Sequence, residues 1–309
     1  MGLIPMVAGV MPVFVLIALG YGLRKSDFLP DATWRPIEKL SINFMYPGFL
    51  IPAIWGADMS GGGAGAAAGA AVAAVIIVAL GTFAAKPFMT IDGPGYTSVF
   101  QGTIRWNSFV FLPVIQAAFG EKGLALAAVM IASIIPVTNI LCVAVLARWG
   151  ADQRGMRPLA LMKAMLANPI LLACLIGLAL NFARVPFIPG VTETLKLLGS
   201  AALPTGLIIA GAGLSFAEVA RRKVTIAGVS FVKLIIMPPL MWGLCILFGG
   251  DHLAQGVAML CGAAPGAAAA YLLARQMGGD APLMAGIIAL TMVISALMIP
   301  LLLFIYHLT

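Results

Sequence analysis

Ten long apolar stretches constrain the fold of this 309-residue chain more than any other feature. A helix needs about 20 mainly apolar residues to cross a bilayer, and each stretch is close to that length. Only 9% of the residues are charged, whereas soluble domains carry about 25%. We therefore predict an all-α membrane protein with ten transmembrane helices, at roughly residues 6–23, 40–57, 64–85, 96–119, 123–147, 164–183, 197–217, 224–250, 253–274 and 281–308.

The basic residues predict the orientation of these spans. Of the 18 Lys and Arg residues, two, Arg105 and Lys233, lie inside spans. With the N-terminus outside, thirteen of the others fall on the cytoplasmic side and three on the outer side. Cytoplasmic loops of membrane proteins are enriched in Lys and Arg, so we expect a multi-pass protein of the cell (inner) membrane with both termini extracytoplasmic. Scattered among apolar runs, these residues do not form a nucleic-acid-binding face.

An internal repeat divides the chain into two halves. A shift of 157 residues superposes two pairs of prolines and two pairs of glycines, namely Pro12 on Pro169, Pro47 on Pro204, Gly20 on Gly177 and Gly56 on Gly213. Because each half has five spans, an odd number, the second half enters the membrane upside down. We therefore predict two five-helix inverted repeats, 1–150 and 158–309, an arrangement found in many secondary transporters.

Spans 4 and 9 carry residues that interrupt a membrane helix. Span 4 holds Gln101, Arg105, Asn107 and Pro113, and span 9 holds Pro265–Gly266 at its centre. Proline lacks a backbone N–H and disfavours helix at the preceding residue. The shift of 157 residues places Asn107 opposite Ala264, beside Pro265, so we expect both spans to be broken at matching depth, span 4 beside Arg105 and Asn107. Each new helix N-terminus would carry free N–H groups and partial positive charge, which favour an anion. Prolines in membrane helices also produce simple kinks, and this alternative stays open.

Two cations, Arg105 and Lys233, lie about nine residues into their spans with no acid at similar depth. Each costs about 2.5–3.5 kcal/mol at the membrane centre. A bound anion would balance them, while carbonyl partners or snorkelling to the interface are the alternatives. Lys233 is also a candidate proton-coupling group. Asn139 in span 5 is expected to line the same cavity or to bridge helices.

The sequence predicts no metal site and no cofactor. All four cysteines lie inside spans, and none has a CxxC or Cys/His partner at metal-binding spacing. An intramembrane protease would need a histidine beside a serine in a span core, and both histidines lie at span ends.

Several segments resemble the auxin efflux carrier family, which includes plant PIN-type auxin exporters and bacterial malate or malonate permeases. The resemblance runs along nearly the whole chain. It is carried by QGTIRWNSFVFLP (from Gln101), FGEKGLALA, Asn168–Pro169, LGSAALPTGLIIAGAGLS and AAPGAAAAYLLARQ.

This resemblance implies a fold similar to that of bile acid–sodium symporters, with broken helices 4 and 9 that cross. Helices 1, 2, 6 and 7 would form a scaffold and a homodimer interface, and helices 3–5 and 8–10 a mobile transport domain. The family's crossover asparagine, which contacts substrate carboxylate in PIN-type proteins, matches Asn107, and its crossover proline matches Pro265. Plant members have proline before that asparagine, whereas this chain has Trp106 there, preceded by Arg105. The added positive charge of Arg105 suits small carboxylates.

The leading hypothesis is a secondary active or facilitative carrier of an organic anion that works by elevator-type alternating access. The anion would contact Asn107, Arg105, Gln101, Asn139 and the backbone around Pro113, Pro265 and Gly266, with Lys233 as a further cation. Sodium-coupled symport is the alternative within transport. A channel and an intramembrane enzyme are the alternatives outside it.

Overall fold

The computed structural model describes residues 3–57, 63–151 and 168–308, and these residues form helices and connecting turns without a strand. The first half contains α1 (Leu3–Lys25), α2 (Asp31–Leu40), α3 (Tyr46–Trp55), α4 (Gly63–Ala85), α5 (Gly93–Ile104) and α6 (Ser108–Trp149). The second half contains α7 (Pro169–Phe182), α8 (Val191–Ser200), α9 (Ala202–Ala212), α10 (Lys223–Phe231), α11 (Met237–Leu247), α12 (His252–Ala263), α13 (Ala268–Gln276) and α14 (Ala281–Tyr306).

The all-helical architecture predicted from the sequence is confirmed. Each predicted span coincides with helix, although residues 164–167 and the linker between the halves lie outside the described residues. Five helical stretches of the described chain are long and apolar enough to cross a membrane, some of them made of two joined helices, and α12 with α13 passes as one bent pair. The count of ten spans and their inverted arrangement remain predictions.

Several predicted spans consist of two helices joined by an irregular turn. A π-helical turn, Ser41–Met45, joins α2 to α3, and a second, Val232–Ile236, joins α10 to α11. The long helix α6 turns at Gly120, whose φ of 61° is accessible to glycine at little cost. This turn divides α6 into the end of predicted span 4 and the whole of span 5.

The helices before the two breaks match each other closely. Both α5 and α12 have 12 residues. Each is capped by an aspartate whose carboxylate accepts a hydrogen bond from a backbone N–H of the first turn, Asp92 from Gly95 and Asp251 from Ala254. Asp92 and Asp251 are 159 positions apart, so at the breaks the two halves correspond with a shift of 159 rather than 157. Asn107 then matches Gly266 instead of Ala264.

Both spans are broken at the predicted positions, although Pro113 is not part of the break in span 4. Helix α12 ends at Ala263 and α13 begins at Ala268, with 47° between them, so Pro265–Gly266 lies in the break. In span 4 the helix stops at Ile104 and restarts at Ser108, and Pro113 lies inside α6. The new helix starts with Asn107 as its N-cap, and Pro113 therefore lies beyond the break.

Close contacts between small residues hold α1 against α9. A side chain at Gly20 would collide with the backbone of Ile208, and one at Gly211 would collide with the backbone of Ile17. These two glycines therefore let the helices approach to backbone contact, which is how apolar helices associate where lipid replaces water. Helix α3 packs in the same region against α7 and α8, while α11 packs against α4 and α12.

Candidate functional site

The two helix breaks contact each other through Asn107 and Pro265. The backbone N–H of Asn107 donates to the carbonyl oxygen of Pro265 at 2.9 Å. The side-chain Oδ1 of Asn107 accepts the N–H of Phe109 at 2.9 Å and so caps the start of α6. Both interactions satisfy backbone groups that a broken helix leaves without partners, which is a requirement for irregular backbone at membrane depth.

A cavity of about 230 Å³ lies beside this contact. Its wall contains the first turns of three helices, with Ser108 from α6, Pro169 and Ile170 from α7, and Ala268 and Ala269 from α13. Helix α7 is capped by the side chain of Asn168, whereas no side chain caps α13. Since a helix N-terminus carries about half a positive charge, three of them make the cavity electropositive.

Arg105 adds a full positive charge to the same cavity. Its Nη2 donates to Oδ1 of Asn139 at 3.0 Å, and both side chains line the cavity. Asn139 is neutral, so this hydrogen bond orients the guanidinium without neutralising it. A carbonyl partner for Arg105 was the alternative to a bound anion. The side-chain oxygen of Asn139 is such a partner for Nη2.

Three buried donor atoms of the cavity-lining residues have no acceptor in the described parts of the chain. They are Nη1 of Arg105, Nδ2 of Asn107 and Nε1 of Trp106. A buried donor without a partner costs about 1–3 kcal/mol. A ligand that supplied acceptor oxygens to these atoms would recover that cost, and a carboxylate supplies two.

The other predicted site residues take different positions. The N–H of Gly266, expected to face the anion, donates instead to Oγ1 of Thr291 at 3.0 Å. Pro265 contributes its carbonyl to Asn107. Gln101 and Lys233 are fully buried without a hydrogen-bond partner for their side chains among the described residues, and like Pro113 they do not line the cavity.

Sequence reasoning missed one charged residue of the cavity, Glu38. The second predicted span begins at residue 40, so Glu38 falls outside it and is not among the predicted site residues. In the structure it lies on α2 and lines the cavity together with Arg105. In DATWRPIEKL the apolar residues Trp34, Ile37 and Leu40 recur every three positions, a spacing typical of an amphipathic helix, and this signal could have found it.

Comparison with known proteins places the chain in a family. Residues 5–303 match the family described as membrane transport protein. An uncharacterized transporter of Methanothermobacter thermautotrophicus (strain Delta H) is 25% identical over 301 residues, which cover 94% of this chain and 95% of the relative. The chain thus belongs to the membrane transport protein family, the auxin efflux carriers, as its motifs indicated.

Proposed function

We propose that this transporter is a secondary carrier of a small organic anion, a carboxylate, which binds in the cavity beside the two helix breaks. The observation that carries the proposal is the pair of unpartnered donors, Arg105 Nη1 and Asn107 Nδ2, in a cavity surrounded by three helix N-termini. A carboxylate matches this pattern because it is an acceptor at both oxygens and bears the opposite charge.

The size of the cavity favours a small substrate. Sites for drug-sized ligands occupy about 300–1,000 Å³, and this cavity holds about 230 Å³. A mono- or dicarboxylate of a few carbon atoms suits that volume better than an aromatic, auxin-like acid. Trp106, where plant exporters have proline, contributes to the same wall.

The composition of the cavity wall supports elevator-type movement. Asn168 belongs to a span of the proposed scaffold and Glu38 to the helix that leads into another, whereas Arg105, Asn107 and Ala268 belong to the proposed transport domain. A substrate held between two such units changes its accessible side when one slides along the other. In this proposal the scaffold helices also form a homodimer in the bilayer, and the cavity opens toward the cytoplasm, where Arg35 and Lys39 are expected.

The function is tested with purified protein in liposomes. Solid-supported-membrane currents and radiolabelled counter-exchange are recorded with pyruvate, lactate, malonate, malate and indole-3-acetate, without sodium. We expect saturable exchange of at least one small carboxylate, and its loss in Arg105→Gln. The control Arg148→Gln changes an exposed arginine at the end of α6 and should exchange normally.

Absence of exchange for every acid would overturn the proposal. Exchange that requires sodium would revive the sodium-coupled alternative, which needs several oxygen ligands rather than donors. Flux that does not saturate would favour a channel.

A further inference from the structure

Glu38 places a carboxylate in the wall of a cavity that otherwise favours anions. It is the one acidic residue, and Arg105 the one basic residue, among the described residues that line this cavity. Its side chain is half-buried on α2. The mechanism proposed above makes no use of it, although a charge at this position must affect any anion bound nearby.

Glu38 does not neutralise Arg105. No ion pair within 4.0 Å joins them, as the ion pairs of the described chain all involve other residues. Nη2 of Arg105 instead bonds Asn139, and Nη1 has no acceptor within the part of the chain that the structure describes. The two opposite charges therefore lie on the walls of one cavity with space between them, and an anion near Arg105 would experience attraction from it and repulsion from Glu38.

The surroundings of Glu38 favour its protonated form. Burial raises the pKa of the Glu38 carboxyl, and the nearby Arg35 guanidinium lowers it by less. The exposed Lys39 and, across the cavity, Arg105 also carry positive charge. The π-helical turn Ser41–Met45 and helix α9, which pack against α2, contribute no titratable side chain. Glu38 is thus poised to change its charge at a higher pH than an exposed glutamate does.

We propose that Glu38 is a fixed competitor of the transported anion: when ionised it repels the anion from the cavity, and when protonated it permits binding beside Arg105. This inference rests on the proposed function. Glu38 belongs to α2, whereas Arg105 and Asn107 belong to the opposite, proposed mobile wall. The competition therefore acts while these walls face each other, and it promotes release of the anion on that side of the membrane.

The affinity for the anion is expected to depend on pH. As the pH falls through the pKa of Glu38, its charge is lost and anion affinity rises. By the reciprocity of linked equilibria, anion binding must then draw a proton onto Glu38. A repulsion of about 1.4 kcal/mol, plausible in magnitude for charges several ångströms apart near a protein surface, corresponds to about a tenfold change in affinity.

The experiment measures equilibrium binding of radiolabelled pyruvate, or malonate if pyruvate is not exchanged, to detergent-purified full-length protein between about pH 4 and about pH 8, a range that begins near the ordinary pKa of glutamate. We expect the wild-type dissociation constant to fall about tenfold from the high to the low pH. Glu38→Gln should bind tightly at every pH, without that dependence. Glu38→Asp, which retains a carboxyl group, should keep it. Glu121→Gln, which changes an exposed glutamate that does not line this cavity, should behave as wild type.

The outcomes separate the two proposals. Wild-type protein that binds none of the acids would overturn the proposed function and this inference with it. Binding whose pH dependence survives in Glu38→Gln, or is lost equally in Glu121→Gln, would overturn the role of Glu38 and leave the proposed function intact. Weaker binding in Glu38→Gln at high pH would show that Glu38 assists the anion rather than competing with it.

Discussion

The backbone N–H of Asn107 donates to the carbonyl oxygen of Pro265 at 2.9 Å, so the two broken helices are joined at their breaks. With this N–H engaged and Oδ1 accepting from Phe109, the amide of Asn107 is fixed in orientation. Its Nδ2 is then the group without a partner in the described residues. A donor held in place by the fold loses little entropy when it binds a ligand, which is the advantage of preorganisation.

Because one atom of the Asn107 amide caps α6 and the other is an unpartnered donor, a substitution can remove the donor and keep the cap. In Asn107→Asp the remaining oxygens still cap α6, but a negative charge replaces Nδ2. We expect the thermal stability in detergent to change by less than about 1 kcal/mol and carboxylate exchange to fall at least about tenfold through repulsion. The matched control is Asn43→Asp, since Nδ2 of Asn43 donates to the backbone carbonyl of Lys39, four residues earlier in the chain. Normal exchange in Asn107→Asp would remove this residue from the site.

The Arg105–Asn139 hydrogen bond predicts the effect of a charge at position 139. Asn139→Asp would give Arg105 an ion-pair partner at the present 3.0 Å contact, and an internal anion would then replace the external one. We expect exchange to fall at least about tenfold. Asn139→Ala leaves Arg105 charged but less well oriented, so we expect a smaller loss, seen mainly as a raised KM. Exchange assays on both variants decide this, and an equal loss in the two would show that orientation alone matters.

The contact between α1 and α9 predicts which glycines tolerate a methyl group. Gly211→Ala would press its Cβ against the carbonyl of Ile17 and should destabilise the protein by about 1–3 kcal/mol, as overpacking does. Gly22→Ala, also in this region, has no atom within 4 Å of the added Cβ and serves as the control. Thermal unfolding in detergent measures both. A Gly211→Ala variant as stable as Gly22→Ala would contradict the close approach.

Thr291 supports the break in span 9. Its hydroxyl oxygen accepts a hydrogen bond from Gly266 N–H at 3.0 Å, and its O–H donates to the carbonyl of Ile287 at 2.7 Å. Thr291→Val keeps the shape but leaves the Gly266 N–H unpaired, which should cost about 1–3 kcal/mol. In Ser295→Ala, by contrast, the lost bond is to Met292 in the same helix, so little change is expected. Equal melting temperatures for the two variants would show that the break does not depend on Thr291.

The position of the break in span 4 depends on a contact between the two halves of the chain as well as on local sequence. Pro113 lies inside α6, whereas the chain breaks at Arg105–Asn107. Asn107 has the chemistry of an N-cap, but so do other asparagines in the chain. What selects Asn107 is the carbonyl of Pro265, which belongs to the other half and lies beside it only after folding.

The sequence by itself determined the all-helical membrane architecture, the family and three of the cavity residues, Arg105, Asn107 and Asn139, because apolar length, charge and motif are properties of local sequence. The tertiary structure decided which polar groups remain free. In the folded protein Asn139 is hydrogen-bonded to Arg105, and Thr291 is hydrogen-bonded to Gly266. Gln101 and Lys233 are buried away from the cavity, whereas Glu38 lines it. Hydrogen-bond partners and burial depend on helices distant in sequence, so the atoms available to a ligand are fixed when those helices pack.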